Sequence, residues 1–282
     1  MTLNEYFKMA KENKTAIGHF NFSTEDVLKA IVSAAKEAGA SCVMVGTSES
    51  EADFIGLKEA VAMAKAVEDD IQFPVFLNAD HFKSFEKCKE AIDAGYGSVL
   101  IDGSKMSFAK NTAVTKKVVE YAKTINSDIS VEGELGYLKG GSLIQSKMEI
   151  SPSDYTKTEE ARIFCQETGI NRLAVVFGNI HGIVTEQKEK LDIEHLMKIR
   201  LAVPDMFLVL HGASGLSDGD IKESIENGIT NVHFNTELRV AYSEALREQL
   251  SQNPDETTPY KYLAPAAQEV KDLVIKKLAL MA

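Results

Sequence analysis

Short apolar runs alternate along the chain with segments in which apolar residues recur every three or four positions. The first pattern is typical of buried β-strands and the second of amphipathic helices. Eight runs are predicted strands: residues 15–22, 41–47, 73–80, 97–102, 129–135, 172–179, 206–212 and 229–235. The helix after the first run has Ser23 and Asp26 as its predicted capping box, and a leading helix over 2–13 has Thr2 and Glu5.

Eight apolar strands that alternate with helices predict an α/β fold, a (β/α)8 TIM barrel formed by a single domain over residues 1–282. A doubly wound open sheet is the alternative fold. It more often has a glycine-rich turn after the first strand, and residues 20–26 (FNFSTED) have none. The segment 136–154 is long for a barrel loop, which favours a lid or a binding loop.

Composition narrows the class of protein further. Of the 282 residues, 44% are hydrophobic and 26% are charged, as in ordinary globular proteins. No apolar run is long enough for a membrane span, and the N-terminus has no secretory pattern, so we expect a cytoplasmic protein. The net charge of −11 argues against nucleic acid or an anionic membrane as a partner. The cysteines Cys42, Cys88 and Cys165 lie too far apart for a CxxC site.

Three of the six histidines follow predicted barrel strands. His81 ends the third strand, His181 follows the sixth, and His211 ends the seventh. Active-site groups of such barrels lie at the carboxyl ends of the strands, and three imidazoles with an open position form the ligand set of a catalytic zinc. The alternative is that each is an ordinary hydrogen-bonded residue at a strand end. His19 and His233 also lie late in their strands, where either a core or a site position is open.

Carboxylates gather at the same predicted end of the barrel. Asp80 precedes His81, Asp102 ends the fourth strand, and Glu132 and Glu134 point to the same side of the fifth. Buried carboxylates need partners, which favours a role beside the metal or at a second cation. A surface-facing pair on a frayed strand end is the alternative.

Two loops carry the features of a phosphate site. The loop after the seventh strand, HGASGLSDGD at 211–220, has small residues, the Ser214 hydroxyl and Ser217 as a helix cap. After the eighth strand, Asn235 and Thr236 stand at a helix start, and Gly182 allows another close approach. Ordinary turns are the alternative.

Together with a metal, these loops indicate a phosphorylated, oxygen-rich substrate. The metal can chelate a ketose carbonyl and stabilise an enediolate while Asp80 moves a proton, which is sufficient for aldol cleavage.

Eight ordered motifs resemble the class II, metal-dependent ketose-bisphosphate aldolases, which include fructose-bisphosphate and tagatose-bisphosphate aldolases. They are HFNF, VGTSES, ADH, SVLIDGS, VEGELG, FGNIHG, LVLHGASGLSD and FNTE, and the likeness runs along almost the whole chain. The resemblance implies a Zn²⁺ cofactor with a second divalent or monovalent cation possible, a phosphorylated sugar substrate, and a homo-oligomer, either dimer or tetramer.

The resemblance also assigns roles to residues. It implies His81, His181 and His211 as zinc ligands, and Asp80 as the proton donor to the C4 oxygen in condensation. Asp102 and Glu132 match a second or alternative cation site. The residues that match substrate-binding positions are Ser48, Gly182, Gly212, Ala213, Ser214, His233, Asn235 and Thr236.

The chain departs from the family pattern at several of these positions. The family typically has acidic residues after the double glycine, one of them the enolisation base, but residues 142–144 are Ser, Leu and Ile. Glu149 and Glu134 are the candidate replacements. His233 replaces a familiar Asn, and Tyr260 stands where many relatives have an Arg that would meet a second phosphate.

Other departures are Ala213 for a usual Gly and Thr185 near a usual Lys. Three functions therefore stay open: a fructose 1,6-bisphosphate aldolase, an aldolase for tagatose bisphosphate or another ketose phosphate, and a non-catalytic sugar-phosphate-binding relative.

Overall fold

A computed structural model describes residues 1–187 and 189–282. Its strands are β1 (Ile17–Asn21), β2 (Val43–Ser48), β3 (Val75–Phe82), β4 (Ser98–Ile101), β5 (Ser130–Leu135), β6 (Gly140–Gln145), β7 (Arg172–Val175), β8 (His181–Val184), β9 (Phe207–Leu210) and β10 (Ile229–Phe234). Eight of these strands are parallel and form a closed barrel in the order β1-β10-β9-β7-β5-β4-β3-β2, and β6 and β8 form a separate two-stranded sheet. Each of the eight predicted runs overlaps one barrel strand, and β2 and β3 extend one and two residues beyond theirs, so the predicted TIM barrel is confirmed.

Helices surround this barrel. They are α1 (Leu3–Asn13), α2 (Glu25–Glu37), α3 (Glu49–Ile55), α4 (Leu57–Ile71), α5 (Phe85–Ala94), α6 (Phe108–Ile125), α7 (Thr158–Thr168), α8 (Ile193–Ala202), α9 (Asp218–Glu226), α10 (Thr236–Gln252) and α11 (Pro259–Leu278), with a 3₁₀ turn at Pro152–Asp154. In the parts of the chain that the structure describes, no helix has both the length and the apolar character needed to cross a membrane.

The helix caps test the sequence predictions at two places. The predicted Thr2 and Glu5 capping box of α1 is confirmed, because each side chain bonds the other residue's backbone N–H. The predicted Ser23 and Asp26 box of α2 is wrong, since α2 begins after Thr24 without a side-chain cap. The Asp26 carboxylate instead accepts a hydrogen bond of 2.8 Å from the Tyr242 hydroxyl of α10, which takes it away from the cap.

The main apolar core lies between the barrel and its helices. Leu28 and Ile31 of α2 and Val274 of α11 are fully buried there, as are Val43 and Val45 of β2. Burying each such side chain contributes about 1.5–3 kcal/mol. This layer holds the strands in register while leaving their inward-facing positions free for polar side chains.

One guanidinium, that of Arg172 on β7, organises the barrel interior. Arg172 is fully buried and its Nη1 lies 2.6 Å from Oε2 of the equally buried Glu132. It also donates hydrogen bonds to the side chains of Ser130, Met44, Asn231, Asn78 and Ser98. A buried charge costs free energy unless it is paired and hydrogen-bonded, and Arg172 is both.

The long loop after β5 contains a strand that the apolar pattern did not predict. β6 pairs in parallel with β8, and Gly140 lies opposite His181. The loop contacts α10 through Ser142, whose Oγ lies 3.0 Å from Thr236 Oγ1. Arg239 of α10 also donates to the Ser142 carbonyl oxygen, at 2.8 Å. The segment predicted as a lid or binding loop therefore lies against the carboxyl end of the barrel.

Replacing Arg172 with Met should destabilise the fold, because it leaves the Glu132 carboxylate buried without its cation. We expect the free energy of unfolding in urea to fall by about 3–5 kcal/mol, as for other broken buried pairs. Arg162→Met is the matched control, since Arg162 pairs with Glu159 on the exposed face of α7. Equal losses in the two variants would show that Arg172 is not a structural anchor.

Candidate metal centre and active site

The structure brings the three predicted histidines together at the carboxyl end of the barrel. His81 lies near the end of β3, His211 directly follows β9, and His181 opens β8 in the connection after β7. All three line one small cavity of about 20 Å³. The strand-end rule therefore places them correctly, although they belong to distant parts of the sequence.

Carboxylates fix which nitrogens of His81 and His211 are free. Asp102 Oδ2 and Glu134 Oε2 each lie 3.3 Å from His81 Nδ1. Glu132 Oε1 lies 2.7 Å from His211 Nε2. Because carboxylates accept hydrogen bonds, these two nitrogens carry protons, and in the neutral rings that a metal requires, His81 Nε2 and His211 Nδ1 present lone pairs.

The two free nitrogens face each other at 3.1 Å. Two opposed lone pairs repel unless a cation lies between them. Two imidazole ligands of a tetrahedral zinc, with bonds of about 2.0–2.1 Å, stand about 3.3 Å apart, close to the spacing here. Carboxylates on the outer nitrogens are also typical of metal-ligating histidines. The residues present therefore fit a divalent metal.

His181 is the outermost of the three. Its ring centroid stands 5.1 Å from that of His81. Compact groups of ligand atoms within 4.8 Å include Asp80, His81 and His211 together, but none joins His181 to the other two histidines. Burial, and then the nearby His81 and His211, lower the pKa of His181 to about 3, so its imidazole is neutral and keeps a lone pair.

The pKa of His81 is shifted in the opposite direction from that of His181. Burial alone would lower its pKa, but the Asp80 charge and the bonds to Asp102 and Glu134 outweigh burial and hold the pKa well above its usual value. Burial, together with the neighbouring Asp102 charge, raises the pKa of Glu134. His81 thus stands in a strongly negative environment, which also suits a bound cation.

The backbone at His81 is strained. Among the described residues, Lys14, Gln72 and His81 are the non-glycine residues with positive φ, at 54°, 53° and 53°. Lys14 and Gln72 are helix C-caps, where the left-handed conformation is common. His81 lies in a strand and has no such reason. Strain of this kind is found at functional sites, where it aims a side chain.

Glycines allow the loops around the small cavity to touch. A Cβ at Gly182 would lie 2.3 Å from the Gly141 carbonyl oxygen, and a Cβ at Gly212 would lie 2.0 Å from the Ile180 oxygen. Both residues have positive φ. Only glycine fits at these two positions, because backbone meets backbone there.

The other predicted phosphate-binding residues surround the start of α10. Asn235 is its N-cap residue, and its Oδ1 is buried without a hydrogen-bond partner. Ser214 Oγ accepts from the Glu237 N–H at 3.3 Å, and Thr236 Oγ1 meets Ser142. Ala213 is fully buried between Gly212 and Ser214. A helix start with nearby hydroxyls is a site that suits an anion.

A larger cavity of about 600 Å³ opens beside the small one. Ser48, Asp80, His81, Glu134 and His181 line it. Ser48 is also the N-cap of α3 and forms a capping box with Glu51. Three cationic side chains, those of Lys83, Lys105 and Arg239, also line it, together with further carboxylates such as Glu49.

Two residues singled out in the sequence lie away from this cavity. Glu149, a candidate base, has a side chain that is 89% exposed. Tyr260 is 75% exposed on α11. Neither is among the residues that line the cavity. The position of Tyr260 therefore does not decide whether a second phosphate binds.

Sequence reasoning missed Asn21. Its Nδ2 donates to Asp80 Oδ2 at 3.0 Å and to Glu51 Oε2 at 2.9 Å. Asn21 ends β1, so the strand-end rule that found the histidines would also have found it. It orients the Asp80 carboxylate.

A closed parallel barrel with carboxylate-supported histidines at the carboxyl ends of its strands is the arrangement of a metal-dependent enzyme. A sequence profile described as "Fructose-bisphosphate aldolase class-II" matches residues 1–282. The chain belongs to the class II fructose-bisphosphate aldolase family. Metal-dependent aldol cleavage of phosphorylated sugars, a lyase reaction, is the function of this family.

Individual relatives agree with this assignment. A fructose-bisphosphate aldolase of Staphylococcus aureus (strain Mu50) is 36% identical over 281 residues, which cover 99% of this chain and 96% of that protein. The crystal structure of the YdjI aldolase from Escherichia coli K12 is similar with a TM-score of 0.82 and 28% identity, over 100% of this chain and 97% of that one. A putative fructose-1,6-biphosphate aldolase from Coccidioides immitis has a TM-score of 0.85 and 25% identity, over 99% and 96% of the two chains.

Replacing Asp102 with Asn should weaken zinc binding, because His81 loses the negative partner that fixes its ring. We expect the affinity for zinc to be lower by about 10–100-fold, as for other hydrogen-bond partners of metal-ligating residues. Competition with a chromophoric chelator measures it. Glu149→Gln is the control, since Glu149 is exposed. An unchanged affinity in Asp102→Asn would show that Asp102 does not support the metal site.

Proposed function

We propose that this protein is a zinc-dependent aldolase that cleaves fructose 1,6-bisphosphate reversibly to dihydroxyacetone phosphate and glyceraldehyde 3-phosphate. The observation that carries the proposal is the pair of opposed nitrogens of His81 and His211 with the Asp80 carboxylate beside them. The family and the relatives named as fructose-bisphosphate aldolases support the choice of substrate.

His81, His181 and His211 would hold the zinc ion. Asp102, Glu134 and Glu132 orient two of these ligands, which supports a role as their hydrogen-bond partners rather than as ligands of a second cation. Glu132 has both oxygens engaged, one by His211 and one by Arg172. When bound, the metal supplies a Lewis acid that polarises the ketose carbonyl and stabilises the negative charge that develops beside it.

Asp80 is the proton carrier. In cleavage it accepts the proton of the C4 hydroxyl as the C3–C4 bond breaks, and in condensation it returns that proton to the C4 oxygen. Asn21 holds Asp80 Oδ2, and Asp80 is almost completely buried. This fixed carboxylate lines both cavities and so reaches the substrate.

The phosphate of the dihydroxyacetone half would bind where glycine loops and the start of α10 meet. Gly182 and Gly212 bring the backbone close, Ser214 and Thr236 offer hydroxyls, and Asn235 stands at the N-cap position of the helix. Ala213 contributes its backbone. This arrangement supports anion binding by N–H groups and a helix N-terminus.

The second phosphate would lie toward Lys83, Lys105 and Arg239, with Ser48 on the same cavity wall. These cations stand in a protein whose net charge is −11, so local rather than global charge attracts the substrate. They support a bisphosphate despite Tyr260. Tagatose 1,6-bisphosphate, which differs at C4, is the second candidate substrate.

The replacement for the acidic loop base is Glu134 rather than Glu149. Glu134 lines the large cavity beside His81, whereas the Glu149 side chain is exposed. Glu134 would exchange the proton at C3 of the dihydroxyacetone half. Residues 1–282 would act as one domain. Cytoplasmic location and a homodimeric or homotetrameric state stay predictions.

Asp80→Asn should abolish most cleavage without removing the metal, because the amide cannot accept the C4 proton. We expect kcat to fall on the order of 10²–10⁴-fold. The measurement is triose phosphate release from fructose 1,6-bisphosphate by zinc-loaded protein, with tagatose 1,6-bisphosphate in parallel and EDTA added as a second arm.

Asp93→Asn is the matched control, because Asp93 is an exposed helix residue paired with Lys89. Faster cleavage of the tagatose sugar would change the substrate but keep the reaction. If protein with full zinc content cleaves neither sugar, it is a binding relative rather than an aldolase.

A further inference from the structure

Two buried histidines take no part in the proposed mechanism. His19 on β1 and His233 on β10 lie opposite each other in the parallel strand register. They are 0% and 5% exposed. Their rings stack at a centroid distance of 3.7 Å and an interplanar angle of 7°. A parallel histidine pair therefore lies inside the barrel beside Asp80.

Arg172 fixes the His233 ring through one asparagine. Arg172 Nη1 donates to Asn231 Oδ1 at 3.0 Å, and Asn231 Nδ2 donates to the Ile17 carbonyl oxygen at 2.8 Å. His233 Nε2 lies 3.0 Å from the same Oδ1. Because Arg172 can only donate, that oxygen is an acceptor and His233 Nε2 must donate to it. His233 Nδ1 then points to the opposite side.

A second branch fixes His19. Arg172 Nη2 donates to Asn78 Oδ1 at 3.2 Å, so the Asn78 amide is free to donate to His19 Nε2 at 3.1 Å. The His19 ring also needs Gly46 on β2, because a Cβ there would lie 2.3 Å from His19 Cε1. Two neighbouring strands thus hold this ring against His233.

The histidine pair contacts Asp80 through His233. Asn21 occupies Asp80 Oδ2, while Asp80 Oδ1 lies 3.3 Å from His233 Nδ1. Both of these last atoms are buried, and neither makes a hydrogen bond. A proton on His233 Nδ1, in addition to the one on Nε2, would make the ring an imidazolium and satisfy both atoms. Ligand atoms of His19, Asp80 and His233 lie within 4.8 Å of one another, but Asn78 holds His19 Nε2 and Asn231 holds His233 Nε2. We therefore assign the pair to the support of Asp80 rather than to chelation of an ion.

We propose that His233 is a positioning residue that holds Asp80 Oδ1 toward the substrate, and that His19 is the stacking support that keeps the His233 ring in place. The role rests on the proposed function, because it acts on the proton carrier of the aldol step. His233 was expected to bind substrate directly. Its contact with Asp80 instead gives it an effect on one chemical step.

That step can be measured separately. Cleavage of the C3–C4 bond needs Asp80 at the C4 oxygen. Exchange of the C3 proton of dihydroxyacetone phosphate with solvent needs the metal centre but no transfer at C4. A residue that positions Asp80 should therefore affect cleavage far more than exchange, whereas general structural damage should reduce both.

The test uses full-length zinc-loaded protein with His233→Phe, which keeps a ring for stacking but loses the hydrogen bond. We expect kcat for cleavage to fall on the order of 10²-fold, as for a misplaced catalytic group. Deuterium uptake by dihydroxyacetone phosphate, followed by NMR, and the zinc content should stay near wild type. His233→Gln retains an amide donor and should recover part of the cleavage rate.

The His19 variants test the support. His19→Phe keeps the stack and should cleave substrate faster than His19→Ala, which removes it. His195→Phe is the matched control. His195 lies on α8, where its Nε2 contacts the Thr156 carbonyl oxygen, and it lines neither cavity. This variant should therefore leave both the cleavage and the exchange rate unchanged.

Three results would overturn the inference. Equal losses of cleavage and exchange, or a loss of zinc, in both His233 variants would make His233 structural or part of the metal centre. Unchanged cleavage in His233→Phe would show that Asp80 needs no support. Wild-type protein that neither cleaves nor exchanges would overturn the proposed function and this role with it, whereas the first two results leave the function intact.

Discussion

The buried ion pair between Arg172 and Glu132 connects the barrel to its site. Glu132 in turn bonds His211, while Asn78 and Asn231, which also bond Arg172, contact His19 and His233. Removing a guanidinium from water is costly, and here that cost is offset by the ion pair and five further hydrogen-bond partners. Because this cation can donate hydrogen bonds but cannot accept them, it fixes the oxygens of Asn231 and Asn78 as acceptors and so orients both amides toward His233 and His19.

The site divides into two neighbouring parts with different requirements. On one side, carboxylates take the outer nitrogens of His81 and His211 and leave two lone pairs opposed, an arrangement that a cation stabilises. On the other side, Asp80 lies between Asn21 and His233 and needs a fixed geometry rather than a metal. The strained backbone of His81 separates the two, since it turns one residue toward the metal side directly after Asp80.

Periodicity predicted the barrel because its strands are continuously apolar, and the strand-end rule then predicted His81, His181 and His211. Periodicity could not predict β6, since its sequence GGSLIQ is rich in glycine and pairs only with the distant β8. The capping box at Ser23 and Asp26 was wrong because Tyr242, 216 residues away, binds the carboxylate. The interior role of Arg172 could not be predicted either, because a lone Arg in an apolar run gives no indication of which other strands it contacts.

The account centres on a metal held by imidazole nitrogens at the carboxyl end of the barrel. X-ray absorption at the zinc edge of the loaded protein tests this directly. The account predicts three imidazole ligands with zinc–nitrogen distances of about 2.0–2.1 Å, and the loss of one in His211→Ala. Sulfur ligation at about 2.3 Å, or a shell of oxygen alone that is unchanged in the variant, would contradict it.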